Sequence, residues 1–208
     1  MNEITDLVIQ KKNKQRVNVF LDDQYAFALD IMKAATLNRG QKLSNEKIDR
    51  LKTEDDFSRA LNNAVRFLGY RARSTKEIEV YLSGKDFFAE TIQKVIEKLL
   101  AEKYLDDIDF TRMWIESRIK FNPKSSWALK FELRQKGIKG SIIENALIEY
   151  DNNKAAWDSV QKKLSLWKNL DPEKFRKKLY TFLSNRGFNY ETTTDIYNQV
   201  RDNNGTSV

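Results

Sequence analysis

The 208-residue chain contains no cysteine and no histidine. Without thiols it has neither a disulfide frame nor a cysteine nucleophile, and without imidazole it lacks the commonest general base and zinc ligand. Ser/His/Asp triads, Cys/His pairs and Cys/His zinc sites are thereby excluded. The seven glycines, Gly40, Gly69, Gly84, Gly137, Gly140, Gly187 and Gly205, are too scattered to build a P-loop or a dinucleotide-binding turn. No apolar run approaches the roughly 18 residues needed to span a bilayer, and residues 1–16 are too polar for a secretory signal. Chemistry would have to rest on carboxylates, lysines or tyrosines alone. The expectation is a non-enzymatic cytoplasmic protein with no cofactor, no metal and no membrane partner.

What is present favours helices. Proline occurs twice, while 40% of residues are hydrophobic and 32% charged, which suits helices with buried cores and much solvated surface. Three stretches repeat. Leu82-Ser83-Gly84-Lys85-Asp86-Phe87 returns 51 residues later as Leu133-Arg134-Gln135-Lys136-Gly137-Ile138, and 50 residues after that as Leu183-Ser184-Asn185-Arg186-Gly187-Phe188. Each closes a helical pattern with a basic residue, a glycine at or near the stop and an apolar residue beyond it, the chemistry of a helix C-cap. Val95, Ala146 and Ile196 keep the same steps. A unit used three times implies an extended binding surface rather than a pocket.

The first 29 residues differ in texture. Residues 4–9, 17–21 and 25–29 are rich in branched and aromatic side chains and are separated by polar turns, so they read as a three-stranded antiparallel meander. It is expected to be an accessory arm rather than part of the helical core. Short helices are predicted at 30–37 and 44–52. Thr53 is read as the N-cap of a helix reaching Tyr70, with Phe57, Leu61, Ala64, Val65 and Leu68 on one face. Capping boxes are read at Ser74…Glu77 and Ser141…Glu144. Asp171-Pro172 supplies an N-cap followed by a favoured first-turn proline. The fold class is therefore mainly α: three tandem three-helix repeats in an elongated curved array, preceded by the small β meander. The expected divisions are 1–53, 54–104, 105–151 and 152–201, with a frayed tail at 202–208.

The formal net charge of +7 is unevenly spread. From 118 to 139 there are seven basic residues, Arg118, Lys120, Lys124, Lys130, Arg134, Lys136 and Lys139, against the single acid Glu132. Lys11, Lys12, Lys14 and Arg16 form a second cluster at the first turn of the meander. Such stripes attract polyanions or acidic protein surfaces, although a lysine on a helix is as often a merely solvated group. Asp106-Asp107, at a helix start, is read as a cap rather than a metal site. Trp114, Trp157 and Trp167 sit among apolar helical neighbours and read as core, whereas Trp127 lies inside the basic stripe, where a base-stacking role is open. The starts of the third helices, Phe88-Ala89-Glu90, Ser141-Ile142-Ile143 and Tyr190-Glu191-Thr192, are acidic or apolar, which argues against sequence-specific groove reading.

Three segments carry a resemblance: Tyr70-Arg71-Ala72-Arg73-Ser74 with Lys76-Glu77, Tyr104-Leu105-Asp106-Asp107 with Phe110, and Glu132-Leu133-Arg134-Gln135-Lys136-Gly137-Ile138. On these the chain resembles the RecX family, bacterial regulators of the RecA recombinase, over about residues 3–200. It departs from the family pattern at Lys103 and Asp86, where glycine is usual, and at Asn122, where glycine commonly precedes the proline. The resemblance implies a non-catalytic monomer that binds along the groove of the RecA filament on single-stranded DNA and restrains strand exchange, ATP hydrolysis and co-protease function in the damage response. Partner-binding residues are then expected among Lys11, Lys12, Lys14, Arg16, Arg71, Arg73, Lys76, Lys124, Lys130, Arg134 and Lys136. Two other readings stay open, a direct and non-specific single-stranded DNA binder and, less favoured, a carboxylate-metal nuclease.

Overall fold

The computed structural model describes residues 1–205, and the fold is mainly helical. The chain divides into two compact units: Met1–Arg71 with Ile78–Tyr104, and Ala72–Glu77 with the chain from Leu105 onward.

In the first unit, strands β1 (Asn2–Ile9), β2 (Arg16–Leu21), β3 (Gln24–Asp30) and β4 (Lys42–Leu43) form an antiparallel sheet in the order β3-β2-β1-β4. The expected meander is present; β4, which pairs with Asn2 and Glu3, is two residues long and too short to show a sequence period. Asp22 and Asp23, at φ 48° and 66°, make the left-handed two-residue turn that matches the twist of a hairpin. Alternation in β2 turns Val17, Val19 and Leu21 into a core shared with Ile4, Phe27, Leu29, the short helix α1 (Ile31–Ala34), and Ile48 and Leu51 of the long helix α2 (Asn45–Leu68).

Two expectations change here. The helices predicted at 44–52 and from 53 are one. Ser44 is the N-cap, accepting from the Lys47 amide, and the Thr53 hydroxyl bonds back to the Asp49 carbonyl within the helix instead of capping a new one. Nor is the sheet an accessory arm. Asp55 of α2, 2% exposed, accepts two hydrogen bonds of 2.8 Å from the Arg16 guanidinium and one of 2.9 Å from the Asp30 amide, bolting the sheet to the helix. Helices α3 (Thr75–Ser83) and α4 (Ala89–Ala101) follow; α4 packs on α2 and buries Ile92, Val95, Ile96 and Leu99.

The second unit holds α5 (Asp107–Phe121), α6 (Ser126–Gln135), α7 (Gly140–Ala146), α8 (Asn152–Trp167), α9 (Pro172–Ser184) and α10 (Tyr190–Gly205). Its α5–α7 core contains Phe110, Ile115, Leu129, Leu133, Ile138, Ile143 and Leu147. Its α8–α10 core contains Ala155, Ala156, Val160, Trp167, Leu179, Leu183, Phe188, Ile196 and Val200. Tyr150 packs against both cores and donates to the Lys124 carbonyl at 2.6 Å; burial, aided by the charge of Asp158, pushes its phenol up to about 12.

The three repeated turns are helix caps of one kind. Leu82, Leu133 and Leu183 are fully buried, and their carbonyls accept from the amides of Phe87, Ile138 and Phe188, five residues on. The residue before each of these is left-handed: Asp86 (φ 61°), Gly137 (φ 76°) and Gly187 (φ 82°). This is the Schellman arrangement. Lys103 (φ 59°) closes α4 in the same way, with the Tyr104 amide on the Leu99 carbonyl. At Asn122 φ is negative, −154°, so the left-handed freedom of glycine is not needed there.

Gly137 and Gly187 have a further role. A Cβ on Gly137 would lie 2.3 Å from Lys76 Cβ, and one on Gly187 would lie 2.7 Å from Ser125 Oγ and 2.8 Å from Ala128 Cβ. Each glycine turn is thus pressed against the start of an earlier helix, α3 or α6. Backbone bonds join the same places: Ser74 Oγ donates to the Lys136 carbonyl at 2.6 Å, and the Ser125 amide donates to the Arg186 carbonyl at 3.0 Å.

Other local expectations divide. The Ser74…Glu77 capping box forms in both directions. The Ser141…Glu144 box does not: α7 starts a residue earlier, with Lys139 at the cap position, and Glu144 turns to Lys130 instead. Asp171 caps α9 with Pro172 in its first turn, and Asp106 caps α5 while Asp107 accepts from the Thr75 amide. Val95 and Ile196 are buried as their repeat predicts, but Ala146 is exposed, because α7 has only seven residues and Leu147 takes the inward place. The tail expected to fray from 202 continues as helix to Gly205, and 206–208 lie outside the described residues.

Candidate binding surface

The basic stripe of 118–139 resolves into four ion pairs, centred on three carboxylates, and an exposed face, all within the second unit. Glu132 is the hub of two of them. It accepts from Trp114 Nε1 and Arg118 Nε, both at 2.8 Å, and from Lys124 Nζ. Burial disfavours its charge, but the bonds from Lys124, Arg118 and Trp114 outweigh burial and hold the carboxyl below its ordinary range. Arg118 lies 4.4 Å from the Trp114 ring centroid, with Lys136 5.2 Å away. Lys136 Nζ reaches Glu77 at 2.6 Å, and Lys130 Nζ reaches Glu144 at 2.7 Å. Lys124 and Lys136 thus have structural partners, and the Lys76 stem packs on Gly137. Arg134 is exposed and forms no ion pair among the described residues.

The outward face of α6 is aromatic as well as basic. Trp127 is 69% exposed and Phe131, one turn on, is 55% exposed; their rings are 10° from parallel with centroids 6.3 Å apart. Arg134 and Lys130 fall on the same side of the helix, opposite the buried Leu129 and Leu133. Large apolar rings left in solvent, beside cations, mark an interaction site better than scattered charge does.

The remaining predicted residues are spread more widely. Lys11, Lys12 and Lys14 are exposed in the β1–β2 connection of the first unit, as is Arg71 at that unit's edge in sequence. Arg16 is not at the loop tip: it lies in β2, 16% exposed in its side chain and paired with Asp55, because the strand begins one residue earlier than its apolar alternation does. Arg73 is half-buried and Lys76 exposed, both beside the Ser74 cap in the second unit.

Two features were missed by the sequence reading. Phe131 was not singled out, although an i, i+4 pair at 127 and 131, offset by two from the pair at 129 and 133, must face away from the core. The run Arg176-Lys177-Lys178 was also passed over, masked by Asp171 and Glu173 nearby; all three are exposed on α9, with Arg176 over the rings of Tyr180 and Tyr197. Trp114 and Trp157 are half-buried and Trp167 is buried, so the separation of Trp127 from the others holds. Among the described residues no helix is long and apolar enough to cross a membrane.

Comparison with known proteins assigns the chain. Four family profiles match in order: the regulatory protein RecX N-terminal domain over residues 2–44, and the first, second and third three-helix domains of RecX over 60–99, 106–147 and 149–196. The Regulatory protein RecX of Bacillus pumilus is 35% identical over 97% of this chain and 79% of its own length, and that of Bacillus subtilis is 34% identical over 97% and 78%. A crystal structure of regulatory protein RecX, 24% identical, superposes with a TM-score of 0.65 over 95% of this chain and all of that one, a likeness of fold. The chain belongs to the RecX family.

Proposed function

We propose that this protein regulates the RecA recombinase by binding its filament on single-stranded DNA, restraining strand exchange, ATP hydrolysis and co-protease activity without catalysing a reaction itself. The observation that carries the reading is the match to regulatory RecX proteins through the N-terminal domain and all three three-helix domains, in order. The geometry supports it in kind: repeated units offer several separate contacts to a repeating polymer, and linked weak contacts gain strength through effective concentration. The exposed face of α6, with Trp127, Phe131 and Arg134, is the leading contact, and the lysines of the β1–β2 connection are an accessory one. The protein acts as a cytoplasmic monomer in this reading.

The test is RecA-catalysed ATP hydrolysis on single-stranded DNA, with and without the protein, alongside a control for DNA integrity. A fall in hydrolysis with intact DNA is expected. Unchanged hydrolysis and no association with the filament would remove the reading, and degraded DNA would revive the nuclease.

A further inference from the structure

We propose that the outer face of α6 is a stacking platform for the unpaired bases of a single strand, with Trp127 and Phe131 receiving bases and Arg134, just beyond Phe131, the adjoining backbone. The proposal rests on the regulatory reading only in that the protein works where single-stranded DNA is exposed.

Four observations converge on this occupant. The rings are exposed and nearly parallel, so successive bases meet both without changing their tilt. Trp127 lies beside the Gly187 turn: its Cε3 would lie 3.3 Å from a Cβ built there, next to the bond of the Ser125 amide to the Arg186 carbonyl. The sign of the face is right as well. Arg134 stands seven residues from Trp127 on the same side, and the acid within α6, Glu132, is turned away and held by Trp114, Arg118 and Lys124. Finally, polar contacts border the ring pair, with Lys130 paired to Glu144 at the edge and Ser126 bonded to Asn152 at the start. Aromatic faces with a guanidinium alongside are what stacked bases and intervening phosphates require.

Base stacking is separable from charge. The intact chain would be titrated with a thymidine oligonucleotide and with an abasic strand of equal length at one salt concentration, by fluorescence anisotropy. The wild type should prefer the thymidine strand by about tenfold or more, since each stacked base contributes on that scale. The Trp127→Ala/Phe131→Ala variant, whose folding is checked by circular dichroism, should bind both strands with the wild type's affinity for the abasic one. Trp127→Phe should retain part of the preference. Arg134→Gln should weaken both strands alike and reduce the salt slope by about one.

Equal affinity of the wild type for the two strands overturns the platform, as does a preference that survives in the double alanine variant. Measuring RecA ATP hydrolysis with the same proteins separates the two readings. Restraint of RecA that is lost in the double variant, without any base preference, would make this face a protein-docking surface and leave the regulatory reading standing. A base preference without any effect on RecA would do the reverse.

Discussion

The turn at Asp86 and the turns at Gly137 and Gly187 close their helices with the same hydrogen bonds and the same left-handed residue, but they differ in what they touch. A Cβ is accommodated at Asp86, whereas at the two glycines it would overlap Lys76 or Ser125 and Ala128. Conformation alone therefore does not demand glycine, because aspartate tolerates φ near 60° at modest cost. Close approach does. The second and third turns are joints between repeats as well as caps, and the first serves as a cap.

Removal of the third joint should have the largest effect. Deleting 171–208 takes away α9 and α10, and with them Leu179, Leu183, Phe188, Ile196 and Val200, the partners of Ala155, Ala156 and Val160 on α8. The truncated chain should lose the sharp thermal transition of its second unit and aggregate on heating. An equally sharp melt would show that the repeats do not share cores.

Next in size is Gly137→Ala, which adds a clash at 2.3 Å to the left-handed penalty. Its expected cost is about 3 kcal/mol, combining overpacking and strain, read as a lower midpoint in urea. Gly187→Ala should cost somewhat less, since its nearest contacts, Ser125 Oγ at 2.7 Å and Ala128 Cβ at 2.8 Å, are longer than the one at Gly137.

Glu132 sharpens the contrast from another side. The corresponding positions one repeat away hold Tyr81, stacked on Phe67 at 4.1 Å, and Phe182, beneath the Arg186 guanidinium at 3.7 Å. The middle repeat alone of the three uses a charge there. Replacing Glu132 by Gln should destabilise the second unit by about 2 kcal/mol at neutral pH, because Arg118 and Lys124 lose a partly buried counter-ion. The carboxyl titrates lower in the folded state, so its contribution is present above the unfolded value of about 4.3 and lost as pH falls through the folded one. The gap between wild type and Glu132→Gln should accordingly narrow in acid. A gap constant from pH 7 to pH 3 would assign the effect to packing.

The smallest effect belongs to the first turn. Asp86→Gly should raise stability by about 0.5 kcal/mol, through relief of the left-handed residue offset by added unfolded-state freedom. Destabilisation beyond about 1 kcal/mol would show that the Asp86 side chain does more than tolerate the turn.

Much of this architecture was legible because caps are local chemistry. Ser74…Glu77, Asp171-Pro172 and the three leucine-led turns follow from the residues within a few positions of them. Pairings across distance were not legible. That Lys136 meets Glu77, 59 positions away, and that Arg16 meets Asp55 across 39, cannot be read from a one-dimensional charge count. The same limit inflated the basic stripe: charge clustering in sequence identified Lys124, Lys130 and Lys136, and folding supplied each with a carboxylate. Of the two i, i+4 pairs on opposite sides of α6, the sequence marked one member each, Leu133 through the repeat and Trp127 through the basic stripe, and left Leu129 and Phe131 unmarked.

The joints also give the chain a direction. A later turn always buttresses an earlier helix start: Gly137 seats against α3 and Gly187 against α6. The start of α9 closes itself, with the Asp171 side chain on the Lys174 amide and Pro172 in the first turn. The serine-headed seat of α3 and α6 is thus replaced at α9 by a self-capped start. A fourth repeat grafted after α10 would find a proline-bearing, self-capped helix in place of a serine-headed one, so lengthening this protein would require rewriting the start of α9 before adding anything beyond it.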